Sequence, residues 1–178
     1  FLFFMKHIPM IDLQKQYFLL KTEIDQAIQD CLASAQFIGS KTVQDFEKNI
    51  ASYLDIKHCI SCANGTDALQ IALMALDLPK SSKIIVPAFT YIAPVEVIKL
   101  LDYEIVYADV DADTFNITLE EIEKVYTNDV SAIIVVHLFG QSCNMTAIQE
   151  FAQKNKLFVI EDNAQSLGVE KNTTRNSI

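Results

Sequence analysis

The sequence predicts an α/β fold, a mostly parallel sheet covered by helices on both faces. Two features of the chain point there. The strand-like segments, such as Ile84-Ile85-Val86, Ala132–Val136 and Leu157-Phe158-Val159-Ile160, are near-continuous apolar runs. A strand buried on both faces reads that way, whereas a half-exposed one alternates. Between the runs lie helix-start signals followed by apolar residues at helical spacing, so strand and helix alternate along the chain. A length of 178 residues with 51% hydrophobic content suffices for one globular core.

The elements follow in order. Asp12 can cap a long helix that carries Leu13, Tyr17, Leu20, Ile24, Ile28 and Leu32 at helical spacing. Thr42-x-x-Asp45 resembles a capping box and opens a helix with Phe46, Ile50 and Leu54 inward. A strand over Cys59–Cys62 then leads through Asn64-Gly65 into a helix over Asp67–Leu76. The strand Ile84–Val86 stops at Pro87, and Thr90 can cap a helix that tolerates Pro94 in its first turn. A strand over Ile105–Val110 and a helix opened by the box Thr118-x-x-Glu121 come next. Strand Ala132–Val136, helix Met145–Lys154 and strand Leu157–Ile160 complete the series.

Beyond these elements the ends read differently. Phe1–Phe4 is apolar but short and lacks a basic flank, so it is no signal peptide. Met5-Lys6 reads as a natural start, which makes 1–4 an upstream extension and 5–168 the folded part. From Val169 to Ile178 the chain turns polar and aperiodic, as a disordered tail does.

Composition narrows the function. A net charge of −9 lacks the basic face that nucleic acid requires. No apolar run approaches the ~18–20 residues of a membrane span, so the reading is a cytoplasmic protein. Cys59-Ile60-Ser61-Cys62 has C-x-x-C spacing. On a strand, residues three apart face opposite sides and cannot share a metal. The four cysteines, with Cys31 and Cys143, therefore read as buried structural residues.

Four segments carry candidate chemistry. Asn64-Gly65-Thr66-Asp67 opens a helix, where unpaired N–H groups and the helix dipole attract an anion. Gly65 permits close approach and the Thr66 hydroxyl adds a donor; an ordinary capped helix start is the equal alternative. In Pro87-Ala88-Phe89-Thr90-Tyr91, Tyr91 can lie against a planar ligand or serve as a rim aromatic. His137, ending a buried strand, reads as a site-lining residue more readily than as a base. Asp162 just past the last strand can hold a cationic ring nitrogen, and Gln165 can bond a ring hydroxyl; Asp162 can also simply cap the segment that follows. All four lie after strands, where α/β proteins bind ligands.

From about Ile8 to Gly168 the chain resembles the DegT/StrS-type sugar aminotransferases. The resemblance rests on Ile11-Asp12-Leu13, Asn64-Gly65-Thr66-Asp67-Ala68-Leu69, Pro87-Ala88-Phe89-Thr90-Tyr91, His137-Leu138-Phe139-Gly140-Gln141 and Glu161-Asp162-Asn163-Ala164-Gln165-Ser166. It implies the three-layer α/β/α large domain of a pyridoxal 5'-phosphate (PLP)-dependent transferase of type I fold, cut short before the small C-terminal domain. It further implies cofactor contacts from Gly65 and Thr66 to the phosphate, from Tyr91 to the ring face, from Asp162 to the ring nitrogen and from Gln165 to the ring oxygen. Glutamate as amino donor, a nucleotide-linked keto-sugar as acceptor and a homodimer follow from the same resemblance.

Two departures stand out. Ser40 occupies a position where the family pattern has glycine. The Schiff-base lysine belongs about 25 residues beyond the ring-binding aspartate, and the only lysine after Asp162 is Lys171, in the polar tail. The sequence thus predicts no catalytic residue in this chain and an inactive N-terminal portion. Its rivals are a relative that uses the aminated cofactor for dehydration and a non-enzymatic or decayed α/β binding domain.

Overall fold

A computed structural model describes residues 9–169. Among the described residues the chain divides into two compact units, with the boundary between Asn49 and Ile50. The polar tail beyond Val169 and the apolar start lie outside the described residues.

The first unit is helical. Helix α1 spans Leu13–Ser34, and the Asp12 carboxylate accepts from the Lys15 N–H at 2.9 Å, the cap that the sequence predicts. Its C-terminus closes on Ala35 in the left-handed conformation. Helix α2 spans Lys41–Leu54 and crosses the unit boundary. Its cap is Ser40, whose hydroxyl accepts from the Val43 N–H at 3.4 Å, and not the predicted Thr42. Of the three residues predicted to face inward, Leu54 is buried while Phe46 is exposed.

The second unit is the α/β body. Helix α3 (Gly65–Ala75) precedes strand β1 (Lys83–Pro87), followed by α4 (Ala93–Leu100), β2 (Glu104–Ala108), α5 (Leu119–Val125), β3 (Val130–Val136), α6 (Met145–Asn155) and β4 (Phe158–Asp162). Among the described residues these strands form one parallel sheet in the order β2-β1-β3-β4. One face packs Ile84, Val86, Ala132 and Ile134 against Leu69 and Leu73 of α3 and Val97 and Ile98 of α4. The other packs Ile85, Ile133 and Val135 against Ile122 of α5 and Met145 and Ile148 of α6. Each such residue, fully removed from water, contributes on the order of 1.5–3 kcal/mol. This is the three-layer α/β/α arrangement that the sequence predicts, and consecutive sheet residues feed opposite layers.

Three local expectations need correction. The segment Cys59–Cys62 forms no strand, because it pairs with neither edge of the described sheet, and Ile60 is exposed. An apolar run makes a strand only where a neighbouring strand completes its ladder. Cys62 is exposed as well, with its thiol 3.3 Å from the Asn64 carbonyl, so the cysteines are not uniformly buried; Cys143 is. Thr90 does not cap α4: Ile92 occupies that position without a side-chain cap, and Pro94 sits in the first turn. The Thr118 cap of α5 forms as predicted, accepting from the Glu121 N–H at 3.4 Å.

Candidate functional site

A parallel sheet with returning helices puts every helix N-terminus at the edge where the strands end. The start of α3 therefore shares that edge with the loops after β1, β3 and β4. Strand β4 reaches further than the sequence predicts. It takes in Glu161 and Asp162, with Val136 paired to Asp162, so the carboxylate stands on the last strand residue itself.

Strand alternation decides which layer each acid faces. Val159 packs in the α5/α6 layer and Ile160 in the α3/α4 layer. Glu161 consequently follows Val159, and its contact with Gln149 of α6 agrees. Asp162 follows Ile160 to the α3/α4 side, the side of Gly65. Helix α3 also packs against β4. Asp162 Oδ1 accepts from the Ala164 N–H at 3.0 Å, while Oδ2 makes no hydrogen bond among the described residues.

The N-terminus of α3 is prepared for an anion. Asn64, in extended conformation, accepts from the Asp67 N–H at 2.9 Å through Oδ1, and its amide donates to Asp67 at 3.1 Å. That cap satisfies Asp67 and leaves the N–H groups of Gly65 and Thr66 without intrahelical partners. A Cβ built on Gly65 would meet nothing within 4 Å, so the backbone there faces open space. Thr66 adds a hydroxyl beside it.

Between β1 and α4 lie Phe89, Thr90 and Tyr91. Tyr91 is exposed, its ring available to a flat ligand. Thr90 Oγ1 is the one buried side-chain polar atom among the described residues that lacks a hydrogen-bond partner. An orphaned hydroxyl in a buried position normally marks an absent partner.

The loop after β3 is tightly held. Leu138–Gly140 form a single turn in which Phe139 adopts φ 56° and Gly140 φ 79°. The Phe139 N–H donates to Gln165 Oε1 at 2.7 Å, which leaves the other end of that amide as a donor. His137 is 2% exposed, and both ring nitrogens are engaged. Nδ1 accepts from the Cys143 N–H at 3.1 Å, and Nε2 lies 3.1 Å from Glu161 Oε2. It therefore does not line an open site. Asn116, which the sequence did not single out, is 3% exposed and joins two loops. It accepts from the Leu138 N–H at 3.0 Å and donates to the Gln141 carbonyl at 2.8 Å. Its partners lie 22–25 residues away, so no local pattern could reveal it.

The fit to a phosphorylated pyridine cofactor is favourable on these observations. Free helix-start donors suit a phosphate, a free carboxylate oxygen suits a protonated ring nitrogen, and the unpaired Thr90 hydroxyl awaits a partner. No lysine occurs in Ala88–Ile92, His137–Asn144 or Asn163–Val169. Among the described residues, no cluster of metal ligands is present and no helix is long and apolar enough to cross a membrane.

Fold and site edge together describe a three-layer α/β protein of the pyridoxal-phosphate transferase type. The chain belongs to the DegT/DnrJ/EryC1/StrS aminotransferase family, whose model matches residues 19–176. It is 43% identical over 161 residues to the UDP-2-acetamido-2-deoxy-3-oxo-D-glucuronate aminotransferase of Pseudomonas aeruginosa, covering 90% of this chain and 45% of that protein. It superposes on S. venezuelae DesV, solved with a ketimine intermediate, with a TM-score of 0.91 at 31% identity, covering 95% of this chain and 46% of DesV. The E. coli GDP-4-keto-6-deoxy-D-mannose-3-dehydratase with bound hydrated PLP gives 0.79 at 26% identity, over 84% of this chain and 40% of that one. The chain thus spans about 45% of the length of the curated relatives it matches.

Proposed function

We propose that these residues form the cofactor-binding half of a pyridoxal-phosphate enzyme that transfers an amino group to a nucleotide-linked keto-sugar, with glutamate as donor. The observation that supports this reading is that strand alternation turns Asp162, at the end of β4, to the face of the sheet that α3 and α4 cover, α3 being the helix that begins at Gly65. Homologues named as nucleotide-sugar aminotransferases support the substrate class. A homodimer in the cytoplasm belongs to the same reading.

The bound cofactor supplies an electron-accepting ring. The chain's own residues hold and orient it. The Gly65 and Thr66 N–H groups, with the Thr66 hydroxyl, grip the phosphate. Asp162 Oδ2 keeps a proton on the ring nitrogen, Gln165 donates to the ring oxygen, and Tyr91 covers one ring face. Thr90 offers a further hydroxyl at the same edge. None of these groups is a lysine, so the 178 residues by themselves are expected to bind the cofactor without turning over.

A titration of the purified chain with pyridoxamine 5'-phosphate, followed by absorbance, tests the reading. Saturable binding weakened about tenfold or more by Asp162→Ala supports it, an effect of the size that loss of a charge-assisted contact brings. Equal binding by the variant removes Asp162 from the site. The similarity to the dehydratase favours one second reading, the use of an aminated cofactor for dehydration. Buried His137 is not the histidine such chemistry would use as a base.

A further inference from the structure

Among the described residues, strand β4 is bonded to β3. The ends of strands fray, because the backbone groups at the end of a ladder have water as a competing partner. Asp162 stands at that end, where small backbone excursions would swing its carboxylate. The last two residues of β4 are nevertheless anchored from the neighbouring loop. The His137 N–H donates to the Asp162 carbonyl at 3.2 Å. The His137 ring reaches across to Glu161, the residue before Asp162, at 3.1 Å.

The hydrogen bonds fix the protonation of that ring. A backbone N–H can only donate, so Nδ1, which receives the Cys143 N–H, carries no proton. Nε2 must then carry it and donate to Glu161 Oε2. The second oxygen of Glu161 accepts from the Gln149 amide at 3.3 Å, so α6 completes the support of a carboxylate that is almost fully buried. A buried carboxylate with both oxygens bonded is held in one place, and removing either donor would release it.

We propose that His137 is a positioning residue: its neutral imidazole, protonated on Nε2, pins Glu161 and thereby holds the end of β4 so that Asp162 faces the ligand. It touches no ligand, since it lies on the α5/α6 side of β4 and Asp162 on the other. The proposal rests on the reading of Asp162 given above and deepens it.

The first test uses the unaltered chain and needs no ligand. Imidazole 15N shifts at pH 8 should show the Nε2–H tautomer. The Nδ1–H tautomer there overturns the proposal.

The second test binds pyridoxamine 5'-phosphate labelled with 15N in its ring and follows ring-nitrogen protonation against pH. The Asp162→Asn variant calibrates it; a ring signal unchanged in that variant defeats the reading of Asp162 itself. His137→Asn keeps an acceptor at the Nδ1 position but cannot reach Glu161. It should lower the pH at which the ring nitrogen loses its proton by about one unit, a tenfold change in that equilibrium. His137→Gln places an amide donor near the Nε2 position and should stay within about twofold of the unaltered chain. A normal ring signal in a folded His137→Asn, while Asp162→Asn is impaired, overturns the positioning role and leaves the Asp162 reading intact. Should His137→Asn not fold, the pair Glu161→Gln and Glu161→Ala replaces it. The first keeps an acceptor for Nε2–H and should behave as unaltered, the second should shift the ring signal, and identical behaviour of the two overturns the proposal.

Discussion

Helix α1 and strand β3 are both rich in large apolar residues, yet their fates differ. Helix α1 has no buried residue in its 22, with Leu13, Phe18, Leu19 and Leu32 all exposed. Strand β3 buries six of its seven. The helix satisfies its own backbone hydrogen bonds and closes its ends with Asp12 and Ala35, so it forms from local signals. The strand has no internal hydrogen bonds and exists only because β1 and β4 flank it. Apolar content alone therefore does not tell where burial occurs; the partner that completes the backbone does.

The contrast breaks most visibly under truncation of equivalent side chains. Ile134→Ala in β3 should cost about 2–5 kcal/mol in urea unfolding, the transfer and cavity terms of a fully buried site. Leu19→Ala in α1 should stay within about 0.5 kcal/mol. Similar losses at the two sites would mean that α1 is covered in solution.

A smaller effect separates folding from binding within the α/β unit. Gly65→Ala places a methyl where no other atom lies within 4 Å, so the urea midpoint should hardly move. If the helix start grips phosphate, the same methyl should weaken pyridoxamine 5'-phosphate binding about tenfold, roughly 1.4 kcal/mol. Unchanged affinity in a binding-competent chain would exclude this turn from the phosphate site.

Local signals in the helical unit should have modest value. Removing the α1 cap by Asp12→Ala is expected to cost about 1 kcal/mol of helix stability, read as a loss of far-ultraviolet ellipticity on warming. Thr42→Ala should do almost nothing, since Ser40 is the cap of α2.

The smallest effect is electrostatic. Hydrogen bonds from Thr114, chiefly its N–H, hold the Asp111 carboxylate below its usual pKa. A carboxylate so lowered adds stability at pH above its unfolded value near 3.8, and that addition disappears as pH falls through the lower folded value. Between neutral pH and about 5 the loop carrying Phe115 and Asn116 should keep its Phe115 ring signals in NMR. Below about 4 they should broaden in the native chain, whereas Asp111→Ala should show no such pH step.

Much of the fold was legible because parallel strands and capped helices leave local marks. The apolar runs became β1, β3 and β4, and Thr118 and Asp12 cap as their spacing predicts. The Cys59–Cys62 run carried the same mark and failed, since the sequence cannot say whether a partner strand lies beside it. Ser40 displaced Thr42 because capping depends on where the chain enters the helix. Of the candidate site, the motifs were legible as segments, while His137 was read as site lining and is buried against Glu161.

The sequence by itself determined the alternation of helix and strand, the parallel character of the sheet and the family, because period, caps and motifs are written in consecutive residues. Only the tertiary structure decided that Asp162 stands on the α3/α4 face and Glu161 on the other, and that His137 is buried within hydrogen-bond distance of Glu161. It also brought Asn116 to the loop after β3 and left the Thr90 hydroxyl without a partner. These depend on which strands lie side by side and in what register, and register joins residues that are distant in the chain.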